Sequence, residues 1–253
     1  MNVLNYIKEK RKKGPLHFTL IDPDKQSVER AVEIAKLARD SGSDAIIIGG
    51  SQPTTTIYLN ETIRAIKKEV DLPIILFPYS HAMISPEADA IFFMSLLNSR
   101  TPQYLIEEQI RGSILVKSYN LQPLSMGYII VESGSTTSAE WGGDAKSIPR
   151  ERPDFITGYA LAAKFFGMKF IYLEAGSGAK LSVPNEMITL VKKAIRDEFG
   201  NHEMFIIVGG GIKDEKIALE KINAGADIIV TGTIAEDDTK KLKEIVKSIK
   251  NKG

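Results

Sequence analysis

Short apolar runs alternate with amphipathic segments from one end of the chain to the other, and this alternation narrows the fold more than any other feature. The runs lie at residues 16–21, 45–48, 74–77, 90–94, 125–131, 169–173, 204–208 and 227–230. Most are nearly continuous strings of Ile, Val, Leu and Phe, the pattern of parallel strands covered on both faces. Between the first two, residues 27–40 place Val28, Ala31, Ile34, Ala35 and Ala38 on one helical stripe. Further helices are expected at 53–69, 102–117, 153–166, 184–199, 214–224 and 238–250. Pro53, Pro102, Pro153 and Pro184 stand at or near the starts of four of them, where a missing N–H is tolerated. Such repetition predicts an α/β fold, a single (β/α)8 TIM-type barrel over residues 1–253, rather than an open sheet. A length of 253 residues suits one barrel of this kind.

Two stretches depart from the regular repeat. Residues 78–89, PYSHAMISPEAD, are too few for a loop and a covering helix. The third helix is therefore expected to be missing or replaced, leaving an uncovered flank that forms either an apolar groove or an interface. Small residues Ser80, Ala82 and Ser85 would leave room there, and Phe92 and Phe93 would line or close its far end. Residues 132–152 form the second irregularity, rich in Gly, Ser and Thr and holding the only tryptophan, Trp141. Loops of this length in a barrel are usually lids or contact surfaces.

Composition excludes several classes. The formal net charge is +1, so no global field draws the chain to nucleic acid. There is no cysteine, which rules out disulfides, thiolate metal sites and a Cys nucleophile, and fits a cytoplasmic setting. No run reaches the ~20 apolar residues of a membrane span, so any membrane contact is expected to be peripheral and transient. His17, His81 and His202 lack metal-ligand spacing and read as structural or exposed. The lysines at 8–13 and 240–252 read as solvated helix faces.

The chemistry is expected at the strand ends. Three glycine-bearing turns follow the last three strands: EAGSG at 174–178, GGGI at 209–212 and TGT at 231–233. Glycine lets backbone N–H groups approach an anion, and barrels commonly bind phosphate after strands 7 and 8. Turn geometry alone is the plainer alternative for each glycine taken singly. At the first strand end, LIDPDK (20–25) offers Asp22 and Asp24 as hard oxygen ligands suited to Mg2+, although Asp24 also suits a helix cap. Ser51, after the second strand, is either a cap or a hydroxyl ligand. Alternation along the sixth strand points Tyr172 and Glu174 the same way. If that way is inward, Glu174 sits beside the phosphate turns, placed to bind a hydroxyl and accept its proton. Pairing of Glu174 with a lysine is the structural alternative.

Together with IGGS (48–51), FPYS (77–80), MSLLN (94–98) and YIIVE (128–132), these motifs resemble the geranylgeranylglyceryl phosphate synthases, prenyltransferases of archaeal ether-lipid synthesis. The likeness spans about residues 16–235, and the longer insert around Trp141 is similar to the second of the family's two groups. The resemblance implies a barrel with a replaced third helix. It also implies Mg2+-dependent transfer of a prenyl group from geranylgeranyl diphosphate to the 3-hydroxyl of sn-glycerol 1-phosphate. Asp22 and Ser51 match its metal positions. Tyr172, Leu173, Glu174, Ala175, Gly176, Ser177, Gly178, Gly209, Gly210, Gly232 and Thr233 match its glycerol phosphate site. Glu174 is the expected catalytic residue, and a homo-oligomer, dimer or hexamer, is implied. A longer heptaprenyl donor, a phosphosugar isomerase or epimerase, and a non-enzymatic phosphate-binding barrel are the competing readings.

Overall fold

The computed structural model describes residues 1–50, 55–196 and 204–252. Eight parallel strands close into a barrel in sequence order, with the last paired to the first. They are β1 (Leu16–Ile21), β2 (Ala45–Ile48), β3 (Ile74–Leu76), β4 (Ala90–Leu96), β5 (Gln122–Ile130), β6 (Phe170–Glu174), β7 (Phe205–Gly209) and β8 (Ile228–Thr231). The helices are α1 (Val3–Arg11), α2 (Val28–Ser41), α3 (Thr56–Glu69), α4 (Glu108–Ser118), α5 (Ser138–Gly142), α6 (Phe155–Phe165), α7 (Asn185–Ile195), α8 (Glu215–Ala224), α9 (Thr233–Asp237) and α10 (Thr239–Lys250).

Each strand sends alternate residues to opposite sides. Phe18, Ile47, Phe92, Tyr172, Ile207 and Val230 fill the barrel interior. Their neighbours Ile46, Ile91, Ile171, Val208 and Ile229 face the helices. Both sides are apolar, which is why the strands read as unbroken hydrophobic runs. Helix α2 starts where Ser27 accepts from the Arg30 N–H, and it ends at Gly42 with φ of 97°. It buries Ala31, Ile34, Ala35 and Ala38, the expected stripe without Val28. Of helix α1 the sequence reading holds only a solvated end at residues 8–13, and its buried stripe is an addition. Asn2 caps it, and Val3 and Ile7 are fully buried in the interior cluster, so α1 plugs the N-terminal end of the barrel.

The third helix is replaced, as expected. Between β3 and β4 there is only a single tight turn, His81–Met83. Helix α4 follows β4 and is entered through a wide π-type turn, Gln103–Glu107. Of the small residues expected to leave room, Ser80 borders the cavity described below. Ala82 instead points to solvent, and Ser85 is buried with its hydroxyl on Asn60 Oδ1 at 2.5 Å. Those two are corrected: neither widens the groove. The long segment after β5 is partly ordered by a bridge between Val131 and Ile148 and by the short helix α5.

Candidate active site

A cavity of about 620 Å3 opens at the C-terminal ends of the strands. Asp22 after β1, Gly50 after β2, Glu174 at the end of β6 and Gly176 beyond it, Gly210 after β7 and Gly232 after β8 all border it. The same cavity runs on past Tyr79, Ile84, Phe93 and Met94 toward the flank that lacks a helix. One space therefore joins an acidic corner, a set of glycine turns and an apolar groove.

Glu174 ends β6 in register with Gly209, and Tyr172 lies level with Tyr128 on β5 and Ile207 on β7. Both Tyr172 and Glu174 point inward, where alternation fixed only that they share a direction. Among the described residues no lysine pairs with Glu174. Instead its Oε1 accepts the Gly176 N–H at 2.5 Å, and Tyr172 hydrogen-bonds to it through the phenol. Burial pushes the Glu174 carboxyl above the usual carboxylate range. The Gly176 N–H, the Tyr172 hydroxyl and the Ala175 N–H pull the other way and do not fully offset it. Burial, and then the Glu174 charge, also raise the phenols of Tyr128 and Tyr172 well above their ordinary value. The Phe77 ring stacks on Tyr172 at 5.5 Å and meets Tyr128 edge-on at 5.4 Å. This aromatic floor separates the carboxylate from the barrel interior.

The glycines are present because space is short. A Cβ at Gly210 would overlap Glu174 Oε1 and come within 2.6 Å of the Gly176 nitrogen. Gly210 and Gly211 also turn left-handed, with φ of 79° and 67°. A side chain there would fill the hollow in which consecutive amides can meet an anion. A Cβ at Gly50 would overlap the Asp22 carboxylate.

Asp22 is 7% exposed. Its Oδ1 accepts the Asp24 N–H at 3.1 Å, and its Oδ2 lies 3.3 Å from Lys25 Nζ. Among the described residues no group of three His, Cys, Asp or Glu side chains stands ready to hold a metal. One buried carboxylate kept open by a glycine nevertheless suits Mg2+, which is usually held by one or two carboxylates plus phosphate oxygens and water. Ser51, the second expected metal position, lies outside the described residues, as does His202.

Of the expected glycerol phosphate residues, Tyr172, Glu174, Gly176, Ser177, Gly178, Gly210, Gly232 and Thr233 border the cavity. Leu173 and Ala175 instead face the helices, packed in the outer core, so only their backbone is available to a ligand. Gly209, level with Glu174 on the neighbouring strand, does not border the cavity and is pressed against the Tyr172 hydroxyl. Sequence reasoning missed Thr137, which Gly176 accommodates, and it missed Ser138 and Ala139, which border the cavity from the long segment. It also set aside His81, which borders the groove beside Glu108. His17 is structural, as expected: its ring is buried between Ser43 Oγ at 2.7 Å and Thr231 Oγ1 at 3.0 Å.

Known proteins carry the same architecture. The chain is 50% identical over 248 residues to geranylgeranylglyceryl phosphate synthase of Methanosphaera stadtmanae, covering 97% of this chain and 98% of that one. It is also 50% identical over 224 residues to the synthase of Methanothrix thermoacetophila, covering 88% of this chain and 85% of that one. The crystal structure of (S)-3-O-geranylgeranylglyceryl phosphate synthase from Thermoplasma acidophilum, in complex with sn-glycerol-1-phosphate, superposes with a TM-score of 0.92. The two are 39% identical, and the match covers 99% of each chain. The Thermoplasma volcanium structure gives 0.90 at 37% identity, covering 99% of this chain and 98% of that one. The model of the PcrB family matches residues 5–249, and on that match the chain belongs to the PcrB family.

Proposed function

We propose that this protein is a prenyltransferase that moves a geranylgeranyl group from its diphosphate to the 3-hydroxyl of sn-glycerol 1-phosphate, making the first ether bond of archaeal-type lipids. The observation that carries this reading is the single cavity in which Asp22 and Gly210 share a rim and from which an apolar groove departs. A phosphosugar isomerase would need the glycine turns but neither the acidic corner nor the groove. The similar proteins named above support the same substrates.

In this reading the glycine turns at 176–178, 210–211 and 232–233 hold the glycerol phosphate. Glu174 receives the hydroxyl. Its raised basicity suits it to take the proton as the oxygen attacks the allylic carbon. The new C–O bond forms while the bond to diphosphate breaks, and diphosphate leaves with the electron pair. Tyr172 fixes the carboxylate by its hydrogen bond, so the hydroxyl meets an oriented acceptor. Phe77 and Tyr128 keep water from the developing positive charge. Asp22 is the residue that would hold Mg2+, and a bound Mg2+ supplies the positive charge that makes diphosphate a better leaving group. The tail lies along Tyr79, Ile84 and Phe93. Each buried CH2 is worth ~0.8 kcal/mol gross, so the tail offers ample energy for positioning.

The protein acts as a homo-oligomer in the cytoplasm. Trp141, 83% exposed on α5, is not packed on its own barrel and serves as an anchor between subunits. Among the described residues no helix is long and apolar enough to cross a membrane, and lipid contact is peripheral. The test is incubation with labelled sn-glycerol 1-phosphate and geranylgeranyl diphosphate, with and without EDTA. A lipid product whose mass equals the prenyl ether, lost on chelation, is the expected result. Metal-independent turnover of a sugar phosphate with no lipid product would overturn the proposal. Offering a mixture of prenyl diphosphates reads the preferred length from the product mass.

A further inference from the structure

The flank without a helix is closed by a polar pair. His81 lies in the turn after β3, and Glu108 is the first residue of α4. Glu108 Oε2 accepts the His81 backbone N–H at 2.8 Å and lies 2.7 Å from His81 Nδ1. Its Oε1 accepts from Gln103 Nε2 at 3.3 Å and lies 3.4 Å from Arg111 Nη1. The Glu108 side chain is only 10% exposed. Burial pushes its carboxyl up, but the His81 backbone and ring, and then Gln103, together hold it below the usual range. The carboxylate is therefore charged in place.

One helical turn on, Gly112 brings the α4 backbone against the same turn. A Cβ there would lie 2.9 Å from Ile84 Cδ1 and 3.6 Å from His81 Cβ. His81, Ile84, Glu108 and Gly112 all border the groove. The wall at this point is thus a seam between two elements, drawn together at one polar bond set and one glycine contact. Gln109, next along α4, donates through Nε2 to the carbonyls of Met94 and Tyr104 and ties α4 to the end of β4. Its Oε1 is buried with no hydrogen-bond partner among the described residues.

A buried carboxylate in an apolar wall is a costly way to gain stability, and an apolar contact of the same size would serve as well. What a multiply bonded carboxylate adds is a fixed distance and direction. A hydrocarbon tail makes no directional contacts of its own, so the wall must set its path. Glu174 and the glycine turns lie at the other end of the cavity and use neither residue.

We infer that Glu108, acting through His81, is a positioning residue that locks α4 against the β3–β4 turn and so fixes the groove wall on which the prenyl tail rests. The inference rests on the prenyl-transfer reading.

The experiment is calorimetric titration of geranylgeranyl diphosphate and, separately, inorganic diphosphate, each with Mg2+, into the intact protein and its Glu108→Ala, Glu108→Gln and His81→Ala variants. Loosening a preorganised wall should weaken geranylgeranyl diphosphate by about tenfold in Glu108→Ala and leave inorganic diphosphate within about twofold. Glu108→Gln keeps an acceptor for the His81 N–H and should recover most of the loss. The His81→Ala, Glu108→Ala double variant should bind no worse than Glu108→Ala alone, because the two residues act as one unit. Equal loss for both ligands, no loss for either, or additive losses would overturn the inference while leaving prenyl transfer intact. Failure of the unaltered protein to bind geranylgeranyl diphosphate at all would instead overturn the prenyl-transfer reading. Should Glu108→Ala fail to fold, His81→Ala, whose side chain is 39% exposed, carries the same comparison.

Discussion

Glu174 meets two opposed demands. Burial makes its charge costly, and the same burial makes it a better base. Its folded pKa lies above the unfolded value, so its stabilising contribution is complete below the unfolded pKa and is lost as pH rises through the folded one. Ionising Glu174 therefore costs the fold stability. Glu174→Gln should lower kcat by about 10²–10⁴-fold. It should also melt no earlier than the unaltered protein, and scanning calorimetry beside product assays checks both halves. A variant that loses stability along with activity would point to a structural role. The pH profile of kcat/KM should fall on the acid side at a pKa above the usual carboxylate range. His17 shows the opposite sign. Burial, with a smaller push from Lys250, lowers its pKa from 6.5 to about 3. The unfolded chain binds a proton here first, so stability is present above pH 6.5 and is lost as pH falls toward about 3. The loss amounts to at most ~5 kcal/mol. The urea midpoint of the unaltered protein should fall with acid across that window, and it should fall less in His17→Asn.

At the level of elements, the strand ends and the loops that follow them act differently when altered. Gly50 meets only the far end of a short side chain, the Asp22 carboxylate, and its φ is not left-handed. Gly50→Ala should therefore shift the melting temperature little and raise the Mg2+ concentration needed for half-maximal turnover. Gly210→Ala meets backbone as well as Glu174 and sits at a φ of 79°. That change should cost stability by about 1–3 kcal/mol and abolish glycerol phosphate binding, a contrast that thermal melts and ligand titration can read. The same division explains what was legible in the sequence. Tyr172 and Glu174 are two residues apart on a strand, so their shared direction follows from alternation alone. The glycine turns announce themselves by composition, and at Gly176, Gly210 and Gly211 a side chain would collide with its neighbours. His81 and Glu108 are 27 residues apart, on a turn and a helix start, and no local period links them. Thr137 reaches Gly176 across a similar distance, from a segment whose sequence carries no regular pattern.

For the whole molecule, eight strands alternating with helices made the barrel readable, and the shortage of residues between β3 and β4 made its gap readable too. Less visible was α1, whose Val3 and Ile7 seal the barrel floor. Its residues VLNYIKEKR look polar because only one narrow stripe is buried. Assembly is the level at which sequence and single chain say least, yet α5 restricts the answer. Ser138 and Ala139 on this short helix border the cavity, while Trp141 on the same helix points outward with 83% exposure. An indole left in water forgoes the burial of roughly 150–250 Å2 that aromatic side chains usually gain. A subunit contact at Trp141 would recover that burial and steady the cavity-facing side of the same helix. Central aromatic anchors of this kind lose about 2–4 kcal/mol of association free energy on truncation to alanine. Light scattering at micromolar concentration should thus give a lower mass for Trp141→Ala than for the unaltered chain. The melting temperature of the variant should also come to depend on protein concentration, since subunit binding stabilises the folded form by mass action. An unchanged mass across dilution would show that the exposed indole serves no subunit contact.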